Sequence, residues 1–372
     1  MRVLIEFEKN SLLFKDSHRV ISCYEPTQLK ASFDEMEKCL KAGYHLAGFI
    51  SYEAGYGFEE KLAQLHRGNF PLIYLGCFDG PVSSKAVLSG EGESFTIKNV
   101  SANISKDSYF QNIERIRHYI QAGDVYQITY CLKLLFSFSG SAYGLYRRLL
   151  VAQPIPYPAY LDTGQYQILS LSPEMFMKKK KDFIITKPMK GSWPRGSRII
   201  NGLFDGLRLK YSEKNRAENV MIADLLRNDL GRVACRVRAP KLYEVAKYRT
   251  IYQMTSTVTA KIDKEVNLYN LFAALFPSGS VTGAPKIRAM EIIHEVEPQE
   301  RKIYTGAIGF ITPQKDLFFN IPIRTVLLEG KSGEMGIGGG IVWDSTAEGE
   351  WQEGLWKTRF FTDLAAGSRP AV

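Results

Sequence analysis

No apolar run in the sequence reaches the ~18 residues that a membrane-spanning helix needs, which argues against a helical membrane protein. The segment Met1 to Lys9 already carries Glu6 and Glu8 and holds no signal-peptide core, so a cytoplasmic location is expected. The five cysteines, Cys23, Cys39, Cys77, Cys131 and Cys235, are scattered and form no Cys-x-x-Cys pair. Structural zinc is therefore not expected, and reduced thiols are. The five histidines show no ligand spacing either. Any metal bound here must be held by carboxylates. There is also no internal repeat and no long linker.

What is present fits an enzyme-sized globular chain. Its 372 residues argue for about two domains, at roughly 150 residues each, or one large intertwined one. With 45% hydrophobic and 12% aromatic residues the chain can bury a substantial core, which excludes disorder. The net charge of +9 fits nucleic acid, an anionic small substrate or a soluble basic surface. Its one dense cluster, Lys178 to Lys181 beside Asp182, lacks aromatic interleaving and reads as a solvated hairpin tip. No nucleic-acid partner and no membrane partner are expected.

Hydrophobic periodicity predicts helices over Thr27–Ala42, Lys106–Ala122, Ser212–Arg227, Leu268–Leu275, Pro285–Val296 and Ala347–Leu364. Strands are predicted in consecutive runs. They include a hairpin over Tyr157–Leu171 turning at Asp162 to Gln165, then Phe183–Lys187, Lys241–Tyr248, Thr250–Ile262, Gly306–Thr312, Leu317–Leu328 and Glu334–Val342. Runs of strands rather than strict strand–helix alternation predict an α+β fold, with layered antiparallel sheets and helices on their outer faces. A Ser-, Gly- and Lys-rich stretch between Val82 and Asn103 marks a boundary. It divides an amino-terminal subdomain, residues 1–85, from a main domain, residues 104–366.

Several segments carry polar residues that local structure does not require. Ser172-Pro173-Glu174 ends an apolar strand, where a glutamate is either a solvated rim residue or an acid. Lys187-Pro188-Met189-Lys190-Gly191-Ser192 holds a lysine between a proline-stiffened strand and a glycine. That amine acts as a nucleophile only if burial or a cationic neighbour deprotonates it. Glu218 shares a helix face with Ile222 and Leu225, a costly place for a carboxylate without a partner. Glu350, Glu353 and Lys357 share a face of the last helix. A surface ion-pair series fits that spacing, and so does a hard-oxygen site for Mg²⁺ if Glu218 faces it.

Further segments suggest anion donors. Phe276 to Lys286 is a glycine-rich turn feeding a helix with Pro285 at its first position, although the spacing around its glycine and lysine is not that of a P-loop. Gly338-Gly339-Gly340 reads as an anion-binding nest or a flexible turn. Arg324 is placed on an otherwise apolar strand, which suggests a bidentate carboxylate partner. Together these residues describe a pocket for a small polyanionic carbon substrate.

In combination the motifs resemble the chorismate-utilising enzymes, and within them most closely the aminodeoxychorismate synthase branch. The resemblance rests on Arg216 to Arg232, Phe276 to Glu291, and Gly338 to Ser345 leading into Glu350-Trp351-Gln352-Glu353. It is strong from Lys106 to Phe361 and weaker through Gly48 to Gly55. It implies that residues 104–366 form the chorismate-binding catalytic domain. It also implies that Mg²⁺ is held by Glu218 and Glu353 with Glu350 close by. Arg324, Tyr304, Lys357 and the Gly338, Gly339 and Gly340 backbone would hold chorismate, with Thr282 and Ser192 contributing less. Glu174 would be the general acid and Lys190 the covalent nucleophile, since Pro188-Met189-Lys190-Gly191-Ser192 matches the lysine motif of that branch. Anthranilate synthases have a small residue at the lysine position. Isochorismate and salicylate synthases place a general-base lysine at the end of the strand after Gly123, where this chain has Leu132, with Lys133 one position off. Ammonia would come from a separate glutamine amidotransferase subunit. Gln253 and Asn215 depart from the residues that many relatives have.

Overall fold

A computed structural model describes residues 1–82, 94–194, 199–247 and 251–366. Among these residues the strands form two antiparallel sheets. In the first, the order is Gly283–Ala284, Gln127–Gly140, Ser332–Ile341, Thr325–Glu329, Tyr166–Ser172, Tyr157–Asp162, Arg2–Ile5 and Leu12–Phe14, with Phe95–Ala102 also pairing to Gln127–Gly140. In the second it is Met189–Pro194, Ile251–Ile262, Phe183–Lys187, Met175–Lys180, Leu317–Asn320, Ala307–Ile311, His45–Ile50, Ile73–Phe78 and Arg19–Cys23, with Ala234–Lys247 pairing to Ile251–Ile262.

Side chains alternate across a strand, and the alternation builds three apolar layers. Val3, Ile5 and Phe14 of the first sheet meet Phe49, Ile308 and Phe318 of the second in a shared core. Their neighbours Leu4 and Leu13 turn outward with Leu169 and Val326, toward the helices Lys106–Gln121, Ala142–Ala152, Lys286–Val296 and Ala347–Ala365. On the far side, Leu46, Ile50, Leu317 and Phe319 pack against helices Leu29–Lys41, Glu213–Gly231 and Leu268–Leu275. This is the expected α+β arrangement of layered antiparallel sheets with helices outside. The amino-terminal strands extend both sheets: Arg2–Ile5 pairs with Tyr157–Asp162, and His45–Ile50 pairs with Ala307–Ile311. Among the described residues no helix is long and apolar enough to cross a membrane.

Three local readings change. The run Leu317–Leu328 is not one strand. Leu317–Asn320 ends in the second sheet, and Thr325–Glu329 begins in the first. Pro322 cannot donate to a ladder, and Arg324 adopts a left-handed φ of 53°, so the chain changes sheets there. Arg324 thus sits on a crossing, not on a strand. Pro285 is the N-cap of its helix, with ψ 141°, and the helix starts at Lys286. Helices Ala142–Ala152 and Ile199–Tyr211 were not anticipated. The expected strand ends Tyr248 and Thr250 lie outside the described residues.

Arg301 ties these layers together. It is buried, with its guanidinium donating to Thr129 O (2.6 Å), Val281 O (2.8 Å) and Glu297 Oε1 (2.6 Å), and it stacks 4.4 Å from the Tyr52 ring centroid. Replacing it by alanine leaves the buried Glu297 carboxylate unpaired. Arg301→Ala should therefore lower unfolding stability by about 3–5 kcal/mol, read from guanidinium chloride denaturation.

Candidate active site

Two sheet-to-sheet crossings run side by side and form the base of a cavity. Ser172-Pro173-Glu174 leads from the first sheet to the second, and residues 321–324 lead back. They are laced together: Ser172 Oγ donates to Ile321 O (2.5 Å), Ile321 N–H to Glu174 O (3.1 Å) and Leu171 N–H to Arg324 O (3.1 Å). The cavity above them measures about 380 Å³ and is lined by Glu174, Lys190, Glu218, Tyr304, Arg324, Gly338, Gly339, Gly340, Glu350, Glu353 and Lys357. That size and enclosure suit a small-molecule ligand.

Lys190 reaches the cavity because its strand is irregular. The pairing of Met189–Pro194 with Ile251–Ile262 slips between Met189 and Ser192, and Gly191 takes φ +91°. A bulge of this kind re-aims a side chain, and glycine accepts the left-handed turn at no steric cost. Asn219 Nδ2 holds the Lys190 carbonyl at 3.2 Å. Burial lowers the Lys190 pKa from the usual lysine range, and Lys357 adds to this, while Glu218 acts in the opposite direction. Glu174 is 2% exposed. Burial pushes its carboxyl up to about 7, against hydrogen bonds from Ser280 Oγ (2.7 Å) and Met189 N–H (3.3 Å). An amine with a weakened hold on its proton and a carboxyl with a strengthened one therefore face one cavity.

The three expected metal ligands line the same cavity from two helices, Glu218 from Glu213–Gly231 and Glu350 and Glu353 from Ala347–Ala365. Ser345 Oγ donates to Glu350 at 2.7 Å, and Lys357 pairs with Glu353 at 2.8 Å. Burial raises the Glu350 pKa and Glu353 adds to it, whereas Lys357 holds Glu353 low. Among the described residues no three His, Cys, Asp or Glu side chains are drawn together as a metal cluster. The donor set of hard carboxylate oxygens, with a like-charge pair that a cation would relieve, fits Mg²⁺ completed by water and ligand oxygens.

The glycine run is not a nest. Gly338, Gly339 and Gly340 lie within the strand Ser332–Ile341, paired with Cys131, Tyr130 and Thr129, so their amides follow a regular ladder. Their value is the space they leave. A Cβ on Gly339 would stand 2.8 Å from Glu350 Oε2, and one on Gly340 would stand 2.9 Å from Gln127 Nε2 and against the Lys190 amine. The carbonyl of Gly338 accepts from Lys357 at 3.0 Å. Thr282 lies outside the cavity wall: it is fully buried, and its hydroxyl donates to Ser278 O at 2.8 Å, closing a turn. The Ser192 side chain is outside the described residues.

With this geometry in view, residues 4–363 match the chorismate binding enzyme family. The chain belongs to that family. It is 38% identical over 274 residues to aminodeoxychorismate synthase component 1 of Bacillus subtilis, a match covering 73% of this chain and 58% of that protein. It thus spans about three fifths of that relative's length. Anthranilate synthase component 1 of Saccharolobus solfataricus is 33% identical over 326 residues, covering 83% of this chain and 77% of that one. The structure of anthranilate synthase component I from Streptococcus pneumoniae superposes with a TM-score of 0.79 at 24% identity, covering 96% of this chain and 92% of that chain. That likeness establishes the fold.

Some residues of this chorismate-binding fold were missed or misjudged from sequence. Ser280, rather than Thr282, faces the cavity and binds Glu174. On the strand Gln127–Gly140, Leu132 packs into the core and Lys133 pairs with Glu334 at 2.6 Å, so neither reaches Lys190. Gln127 lies beside Lys190 instead, fully buried, with neither amide atom hydrogen-bonded among the described residues. Gln253 Oε1 and Thr129 Oγ1, both in residues lining the cavity, are likewise unpartnered among the described residues. Unpaired buried polar atoms are costly, and no sequence signal marked these three beyond the departure at Gln253.

Lys190 should react selectively with a small amine reagent such as formaldehyde under reductive methylation at pH 7, because its lowered pKa leaves more neutral amine than surface lysines have. Peptide mapping would read this. Gly340→Ala should displace the amine and remove the selectivity.

Proposed function

We propose that the chain catalyses the chorismate-amination step of aminodeoxychorismate synthesis, in para-aminobenzoate and folate formation. Chorismate and ammonia would give 4-amino-4-deoxychorismate through a covalent bond to Lys190. The observation that carries this reading is Lys190 itself, bulged onto Gly340 with its pKa lowered, in the cavity that also holds Glu174, whose carboxyl burial pushes up to about 7. A small residue at this position, as the resemblance assigns to anthranilate synthases, would offer no nucleophile. The 38% identity to an aminodeoxychorismate synthase component 1 supports the same choice.

The residues divide the work as follows. Arg324, Lys357 and Tyr304 bind and orient the anionic substrate. The neutral Lys190 amine attacks the ring carbon next to the carboxyl-bearing one. Glu174 donates its proton to the departing ring hydroxyl, which leaves as water. Ammonia then adds at the carbon that lost the hydroxyl, the ring electrons shift back and Lys190 leaves as the free amine, with the enolpyruvyl group intact. Splitting one difficult displacement into two easier ones is the gain from a covalent lysine. Glu218 and Glu353, with Glu350 beside them, would hold Mg²⁺. That ion supplies positive charge for the substrate's ring carboxylate. A separate glutamine amidotransferase subunit would supply the ammonia.

The test incubates the protein with chorismate, Mg²⁺ and ammonium. The expected product is 4-amino-4-deoxychorismate, with no pyruvate released until a lyase is added. Fluorescent anthranilate with pyruvate, undiminished in Lys190→Ala, would overturn the reading. Glu174→Gln should lower kcat by about 10²–10⁴-fold, the usual worth of a general acid. Because Glu174 must carry a proton and burial places its pKa at about 7, kcat/KM should fall as pH rises through that value. In Glu174→Gln this alkaline limb should disappear from the pH–rate profile.

A further inference from the structure

A second cavity, of about 400 Å³, lies across Arg301 from the first. Arg301 lines it, and its guanidinium binds the carbonyls of Thr129 and Val281, two residues of the substrate cavity wall. Four glutamates line this second space, and three have cationic partners: Glu297 with Arg301 (2.6 Å), Glu300 with His66 (3.1 Å), and Glu334 with Lys133 (2.6 Å) and Lys302 (3.1 Å).

Glu53 is the exception. It is 2% exposed and accepts a backbone hydrogen bond from Arg301 N–H at 2.7 Å. Among the described residues no lysine, arginine or histidine reaches it within ion-pair distance. Its neighbour Tyr52, fully buried and lining the same cavity, has a hydroxyl with no hydrogen-bond partner among the described residues. Burial, and next the negative Glu300, push the Glu53 carboxyl up to about 8, so below that pH it holds a proton, and a cationic guest would take that proton's place and relieve the burial of the charged form. One carboxylate and one phenol are too few for the oxygen shell of a divalent cation. They match a small cation that brings its own N–H donors.

We propose that this second cavity is an ammonium-binding site, with Glu53 and Tyr52 as its acceptors, one residue layer from the substrate cavity. Its role as a store of the nitrogen substrate rests on the amination reading above; the binding itself does not. The site lies in the Ser51-Tyr52-Glu53 segment, between the strand His45–Ile50 and the amino-terminal core, and uses no residue of the chorismate cavity.

The experiment has two independent readouts. First, thermal unfolding of the wild-type chain without chorismate is compared in ammonium, sodium and potassium chloride at matched ionic strength. Ammonium should raise the melting temperature above that in the other two salts. The excess should vanish in Glu53→Gln and shrink in Tyr52→Phe, a milder change that keeps the ring. Equal melting in all three salts, or an excess that survives Glu53→Gln, overturns the proposal. Second, steady-state amination should show KM for ammonium raised about tenfold in Glu53→Gln, with KM for chorismate unmoved. Parallel rises in both constants would indicate a structural role and also overturn it. If the chain does not aminate chorismate, the proposed function fails while the melting comparison still decides the cavity.

Discussion

The two neighbouring crossings between the sheets set the constraint on which the site depends. A sandwich of two antiparallel sheets normally keeps each strand's polar ends at the rim. Here Ser172-Pro173-Glu174 and residues 321–324 pass through the middle, joined by hydrogen bonds from Ser172, Ile321 and Leu171. The crossings carry a carboxyl and a guanidinium into the interior, where neither could be placed by a regular strand facing an apolar core. Proline at both crossings removes an N–H that would otherwise need a ladder partner. The cavity exists because the sheets exchange strands at this level.

Placement also explains the electrostatics. Glu174 and Lys190 have shifts of the kind expected when burial outweighs local pairing: the acid is raised and the base is lowered. Both move toward neutrality, as buried ionisable groups do when desolvation outweighs their partners. Glu353 moves the other way because Lys357 is its helix neighbour one turn on. Groups within one helix face thus differ according to whether a partner or the protein interior dominates.

Much of the site was legible in the chain. Glu218 stood out as a carboxylate on an apolar helix face, Glu174 as an acid ending an apolar strand, Lys190 as a lysine between a proline and a glycine, and Glu350 with Glu353 as one helix face; the family resemblance grouped them, and all five line one cavity. The helix Leu268–Leu275 was bounded correctly, and Asn267 caps it. Where the reading slipped, the deciding contact came from far away in sequence. The Gly338 to Gly340 run read as an anion-binding nest or a flexible turn, yet it lies in a strand whose neighbours Gln127, Lys190 and Glu350 need the space it leaves. Thr282 and Ser280 are two residues apart in a turn, and only the packed turn shows which hydroxyl faces inward.

Local sequence therefore determined the period of each element, the apolar faces that would be buried and the short list of chemically unusual side chains. These follow from nearest-neighbour geometry and from the cost of burying charge. Tertiary structure alone decided that Leu317–Leu328 divides between two sheets, that Gln127 rather than Leu132 stands by Lys190, and that Glu53 is enclosed with no cationic side chain at ion-pair distance among the described residues. Each of these depends on segments well separated in the chain meeting in space. Burial and pairing are properties of such meetings, not of any stretch of chain.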